Sequence, residues 1–125
     1  MGLTGPQKRS VQYLLHAWAN WRMSDIYLGY SRVKMNLIPR PASGYRCDLA
    51  VVQAMVQAMD VVRVSHAKSF KLLRLHYADE NTLLEVADLM RLTRAQVYLA
   101  HKKALEYVYA ALKAEFDRRG LTYDL

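Results

Sequence analysis

The chain has 125 residues, 53% of them hydrophobic, and carries 18 basic against 11 acidic residues, for a net charge of +7. This composition excludes a disordered chain and favours one domain with an anionic partner, of which nucleic acid is the commonest kind. The single Cys47 excludes an intrachain disulfide and a cysteine-rich zinc site. No apolar stretch is long enough for a membrane span or a signal peptide, so we expect a cytoplasmic protein with no membrane partner.

The positive charge is concentrated at the front of the chain. Residues 1–46 have a net charge of +6, because their seven basic residues are balanced by Asp25 alone. We predict that 1–46 form a basic N-terminal helix and loop or arm, that 47–125 form a helical domain, and that the two make one structural unit.

Helical spacing begins at residues 10–27, where Ser10 can cap a first helix that Gly29 ends. Residues 28–46 contain two prolines, two glycines and no acidic residue, which predicts an ordered basic loop or an extended arm. Asp48 then opens a second helix. The basic residues of the loop are candidates either for contact with a second polyanion or for a general electrostatic contribution to DNA affinity: Arg32, Lys34, Arg40 and Arg46.

The helical spacing of apolar residues is interrupted at 63–67, and it continues over 68–77, which predicts a third helix. Residues 78–81 are predicted to form a turn. No alternating strand pattern of useful length is present. The sequence therefore predicts a compact all-α fold.

Two capping boxes mark the starts of the last two helices. Thr82 and Glu85 form one, and Thr93 and Gln96 form the other, since each pair has the Thr-x-x-Glu/Gln spacing. The first helix then has room for about two turns before a short connection, which is the layout of a helix-turn-helix over 82–116. A helical hairpin within a core, with solvated lysines, is the alternative.

The last helix supplies the predicted DNA-binding face. If Val97 and Ala104 point inward, the helical period turns a cationic surface outward, and residues 93–105 contain no acidic residue. Arginine can pair with a guanine edge and glutamine with an adenine edge, whereas lysines suit phosphates. The predicted DNA-binding residues are Arg94, Ala95, Gln96, Tyr98, Leu99, Lys102 and Lys103.

Arg91 stands in the turn where a glycine is usual. A left-handed backbone at this position would cost an arginine steric energy. We therefore expect a turn wider than the usual one.

Four stretches, taken in order, resemble a known family: "HAWANW" at 16–21, "YLGYSR" at 27–32, "RPASGYRCDLAVVQAMVQAM" at 40–59 and "LLRLHYADENTLLEVADLMRLTRAQVYLAHKKALEYV" at 72–108. The chain resembles the late-gene antitermination proteins of lambdoid phages, the Q family, in its small zinc-free form with a helix-turn-helix similar to sigma factor region 4.

The resemblance implies a mechanism. Such proteins bind double-stranded DNA beside a late promoter, engage bacterial RNA polymerase paused with its sigma factor, and travel with it. They narrow and extend the RNA exit channel so that terminator hairpins cannot form there. Nascent RNA and a second copy of the chain are further partners left open, and no cofactor is implied.

The residues indicate no catalytic or metal site. The adjacent Asp79 and Glu80 lie in a turn, no glycine-rich phosphate loop is present, and the four histidines lack metal-ligand spacing. We therefore expect a non-enzyme. The alternatives to antitermination are a conventional helix-turn-helix activator or repressor and a purely protein-binding helical adaptor.

Overall fold

The structure is a computed structural model that describes residues 2–30 and 49–121, and every regular element within these ranges is helical. The all-α prediction is therefore confirmed. A π turn at Arg74–Ala78 continues the third helix directly. The helices are α1 (Gly5–Tyr30), α2 (Leu49–Ser65), α3 (Ala67–Leu73), α4 (Leu83–Met90) and α5 (Arg94–Arg119).

Helix α1 begins five residues earlier than predicted. The Thr4 hydroxyl accepts the Gln7 backbone N–H at 3.3 Å, and the Gln7 side-chain oxygen accepts the Thr4 N–H at 3.0 Å. Pro6 fits this first turn because its missing N–H would have no partner inside the helix. Ser10 as the cap and Gly29 as the end were wrong, since the helix runs on to Tyr30. A glycine within a helix costs only about 1 kcal/mol.

Helix α5 is the centre of the packing, because it contacts each of the other four helices. Most of its buried residues recur three or four positions apart, which gives one largely apolar stripe along the helix, interrupted by His101 and Glu115. The core between the helices is formed by large apolar side chains that are almost fully buried: Leu14, Leu15, Met55, Met59, Leu72, Leu73, Leu105 and Leu112.

The chain reaches α4 through a tight turn after the π turn. Glu80 has a left-handed backbone with a φ of 59°. The Asn81 amide then donates to the Leu75 carbonyl oxygen from both its backbone N–H, at 3.1 Å, and its side chain, at 3.0 Å. These bonds close the turn predicted near 78–81 and place Thr82 at the start of α4.

None of the helices in the described ranges is both long and apolar enough to span a membrane. Asp48, the predicted start of α2, lies outside the described residues, as does Cys47. For α1, the structure describes the backbone to Tyr30 and the side chains to residue 19.

Candidate nucleic-acid interface

Both predicted capping boxes are present, and they fix the starts of α4 and α5. Thr82 accepts the Glu85 N–H at 3.2 Å while the Glu85 carboxylate accepts the Thr82 N–H at 3.0 Å. Thr93 and Gln96 repeat the arrangement at 3.1 and 2.9 Å. The bonds from Thr82 lower the pKa of Glu85. A three-residue connection, 91–93, therefore joins two well-defined helices, as a helix-turn-helix requires.

Arg91 ends α4 in the left-handed conformation, with φ 57° and ψ 47°. Its N–H donates to the Asp88 carbonyl at 3.3 Å, and the Leu92 N–H donates to the Ala87 carbonyl at 2.8 Å. This pair of bonds is a Schellman motif, which satisfies carbonyls at the end of the helix. The expected wider turn was wrong, because the arginine accepts the strained backbone and the turn keeps its tight form.

The inner side of the unit is packed as predicted. Val97 and Ala104 are fully buried, and Ala87 on α4 is 5% exposed. Small side chains let two helices approach closely, and Val97 packs into the common core with Val86. The orientation of α5 is therefore fixed along its first three turns.

The outer side of α5 carries all seven predicted DNA-binding residues, and every one is exposed. Tyr98 and Leu99 are 46% and 54% exposed, so this side of the helix presents apolar as well as cationic side chains. The Arg94 guanidinium carbon lies 5.9 Å from the centre of the Tyr98 ring, which is a cation–π contact between residues one turn apart. We call the exposed residues Arg94, Ala95, Gln96, Tyr98, Leu99, Lys102 and Lys103 the α5 face.

Gln96 has a second role that limits base reading. Its side-chain oxygen is held by the Thr93 N–H. Bidentate pairing with adenine needs both the oxygen and the NH2 group of the amide. While the capping box is closed, Thr93 occupies one of the two lone pairs of this oxygen and fixes the direction of the amide, which restricts how Gln96 can pair with a base.

The α5 face ends after about three turns. Glu106 lies one turn beyond Lys102 and adds the first carboxylate to this side of the helix. Gly2 lies against the same place, since a Cβ atom on it would be 3.3 Å from Lys102 Cε and 3.6 Å from a Glu106 carboxylate oxygen. In the sequence, the end of the acid-free stretch 93–105 marks the end of the face. Nothing in the sequence indicates that Gly2 lies beside it.

A buried polar cluster lies on the opposite side of α5. His101 Nε2 and the Tyr77 hydroxyl share a hydrogen bond of 2.9 Å, and the His76 ring centre is 5.3 Å from that of His101. Burial raises the pKa of Tyr77 to about 12, and burial with the nearby His76 lowers the pKa of His101 to about 4. Burial also lowers the pKa of His16, whose ring meets Tyr77 edge-on. This cluster attaches α5 to the π turn.

Within residues 2–30 and 49–121, no group of three or more histidine, cysteine or acidic residues could hold a metal ion. The other predicted set of cations lies outside the described residues: Arg32, Lys34, Arg40 and Arg46.

The chain shares the fold of a transcription antitermination factor. The solved structure is described as transcription antitermination factor Q21 in complex with Q21-binding-element DNA, and its TM-score with this chain is 0.66. The likeness covers 96% of this chain and 98% of that chain, at 19% sequence identity. No protein-family model matches the chain, and no curated protein matches it.

Proposed function

We propose that this chain is a phage transcription antitermination factor that binds double-stranded DNA near a late promoter through the α5 face. The observation that carries the proposal is the α5 face itself: an exposed, acid-free cationic surface at the start of the second helix of a helix-turn-helix. The shared fold with an antitermination factor solved with DNA supports it.

Five of the seven residues of the α5 face have an assigned role in the proposal. The N-terminus of α5 and the side chains of Lys102 and Lys103 attract phosphates. Arg94 reaches a base edge in the major groove. Ala95 and Leu99 are apolar and exposed, which suits contact with thymine methyl groups.

The bound protein then loads onto RNA polymerase that has paused with its sigma factor, and it suppresses termination by modifying the RNA exit channel. The separate cationic set of Arg32, Lys34, Arg40 and Arg46 serves as the contact to nascent RNA, to upstream DNA or to an acidic polymerase surface. The alternative within DNA binding is a conventional helix-turn-helix activator or repressor, which needs only the α5 face.

A transcription assay separates these functions. The DNA site is first enriched from random duplexes with the purified chain and is placed beside a promoter, with an intrinsic terminator downstream. Read-through by bacterial RNA polymerase that requires both the chain and its site is the expected result. Altered initiation with unchanged termination would support the conventional regulator instead. A chain that enriches no duplex and changes neither step would support the protein-binding adaptor.

A further inference from the structure

A groove of about 390 Å³ lies between α3 and the turn that joins α4 to α5. We call it the α3–turn groove. Its volume is in the range of ligand-binding pockets, which is roughly 300–1,000 Å³. Apolar side chains from all three helices and the turn form its inner surface: Leu72, Leu89, Met90, Leu92 and Ala100.

The edge of the α3–turn groove is cationic. Lys68 and Lys71 extend from α3, and Arg91 extends from the turn on the other side; all three are exposed. None of the nine residues that line the groove is acidic. An apolar floor with a wholly cationic edge is complementary to an apolar ligand that carries negative charge.

The α3–turn groove borders one edge of the α5 face. Successive residues of an α-helix are rotated by about 100°, so Ala100, in the groove, points away from Leu99. Ala100 nevertheless adjoins Gln96 and Lys103 of the face, which lie four residues before it and three after it. Ala100 is half-buried, whereas Leu99 is 54% exposed, so a ligand in the groove leaves the far side of the α5 face accessible.

The apolar floor favours a protein ligand over nucleic acid. Leu89, on α4, is 57% exposed. It lies beside half-buried Met90 and Leu92. Contact with apolar side chains of a ligand would remove this apolar surface from water, which is energetically favourable. DNA phosphates would be attracted to the three cations but would make no favourable contact with the apolar floor.

We propose that the α3–turn groove binds a short acidic amphipathic segment of a protein partner. Apolar side chains on one face of the segment cover Leu89, Met90 and Leu92, while its carboxylates lie beside Lys68, Lys71 and Arg91. The site is additional to the DNA contact.

The test is a selection of short random peptides displayed on phage against the full chain. Enriched peptides are expected to combine Asp or Glu with Leu, Ile or Phe. Their affinity should fall about tenfold or more in Leu89→Ser, which removes the most exposed apolar side chain of the floor. It should fall similarly in Lys68→Glu/Lys71→Glu, which reverses the charge at the edge of the groove. Lys113→Glu, at an exposed lysine far along α5, is the matched control and should bind as the wild type does.

Two results would overturn the proposal. One is a selection that enriches no peptide, or enriches peptides that bind Leu89→Ser and the double variant as tightly as the wild type. The other is a double variant that has lost duplex-DNA affinity and salt dependence while no acidic peptide binds the wild type, since the lysines would then be phosphate contacts. Circular dichroism and thermal unfolding check that each variant is folded.

Discussion

The hydroxyl of Tyr77 and the Nε2 atom of His101 lie 2.9 Å apart in the interior, where the π turn meets the middle of α5. His101 is 7% exposed and lies one helical turn after Val97, directly behind the α5 face. The hydrogen bond therefore fixes the helix that presents the face. The burial of His101, which lowers its pKa, also makes the stability of the protein sensitive to pH.

We predict that the protein loses stability as the pH falls from about 6.5 to about 4. Burial lowers the pKa of His101 from 6.5 to about 4, so in this interval the unfolded chain binds a proton that the folded chain does not. The free energy of unfolding therefore falls on acidification, by up to about 3 kcal/mol at the acidic end. Urea unfolding at a series of pH values measures it.

His101→Gln is the control for this prediction, because an amide at this position can still bond to Tyr77 but does not titrate. Its unfolding free energy should depend less on pH between 6.5 and 4 than that of the wild type. Equal pH dependence in the two proteins would show that His101 is not the titrating group.

We predict that Arg91→Gly raises the free energy of unfolding by about 1 kcal/mol. Arg91 has a φ of 57°, a conformation that costs a residue with a Cβ roughly 1–2 kcal/mol and a glycine almost nothing. Arg91→Ala, which removes the same side chain but keeps the Cβ, should give no such gain. If both variants were stabilised alike, the arginine side chain rather than its backbone would be the cause.

We predict that Gln96→Glu separates helix capping from DNA binding. A glutamate can accept the Thr93 N–H as Glu85 accepts that of Thr82, so the melting temperature should not fall. The added charge opposes phosphate on the α5 face, and the slope of log affinity against log salt should lose about one unit.

Gln96→Ala is the complementary variant, because it removes the reciprocal capping bond without adding charge. It should lower the unfolding free energy by roughly 0.5 kcal/mol. Unchanged DNA affinity in Gln96→Glu would place Gln96 outside the interface.

The local signals in the sequence predicted local structure well. Thr82 and Thr93 cap helices because the Thr-x-x-Glu/Gln spacing needs no distant partner, and Val97 and Ala104 face inward because the helical period continues along α5. Thr4 and Gln7 have the same spacing, so the early start of α1 was also available from the sequence.

Other features depend on contacts between distant residues. Nothing local indicates that Gly2 lies against Lys102, or that Lys71 and Leu89 line one groove. The left-handed Arg91 is explained by the Schellman bonds and the packing of Leu92, which offset a local preference. Sequence periodicity therefore predicted the α5 face but could not predict the α3–turn groove.

The salt dependence of duplex binding tests the central claim most directly. Fluorescence anisotropy with a labelled duplex, at increasing salt, compares the wild type with Lys102→Ala/Lys103→Ala and with the control Lys113→Ala. If the α5 face binds DNA, the double variant loses about two units of the slope of log affinity against log salt, and the control keeps the wild-type slope. A double variant that binds duplex DNA with the wild-type affinity and slope would contradict the account.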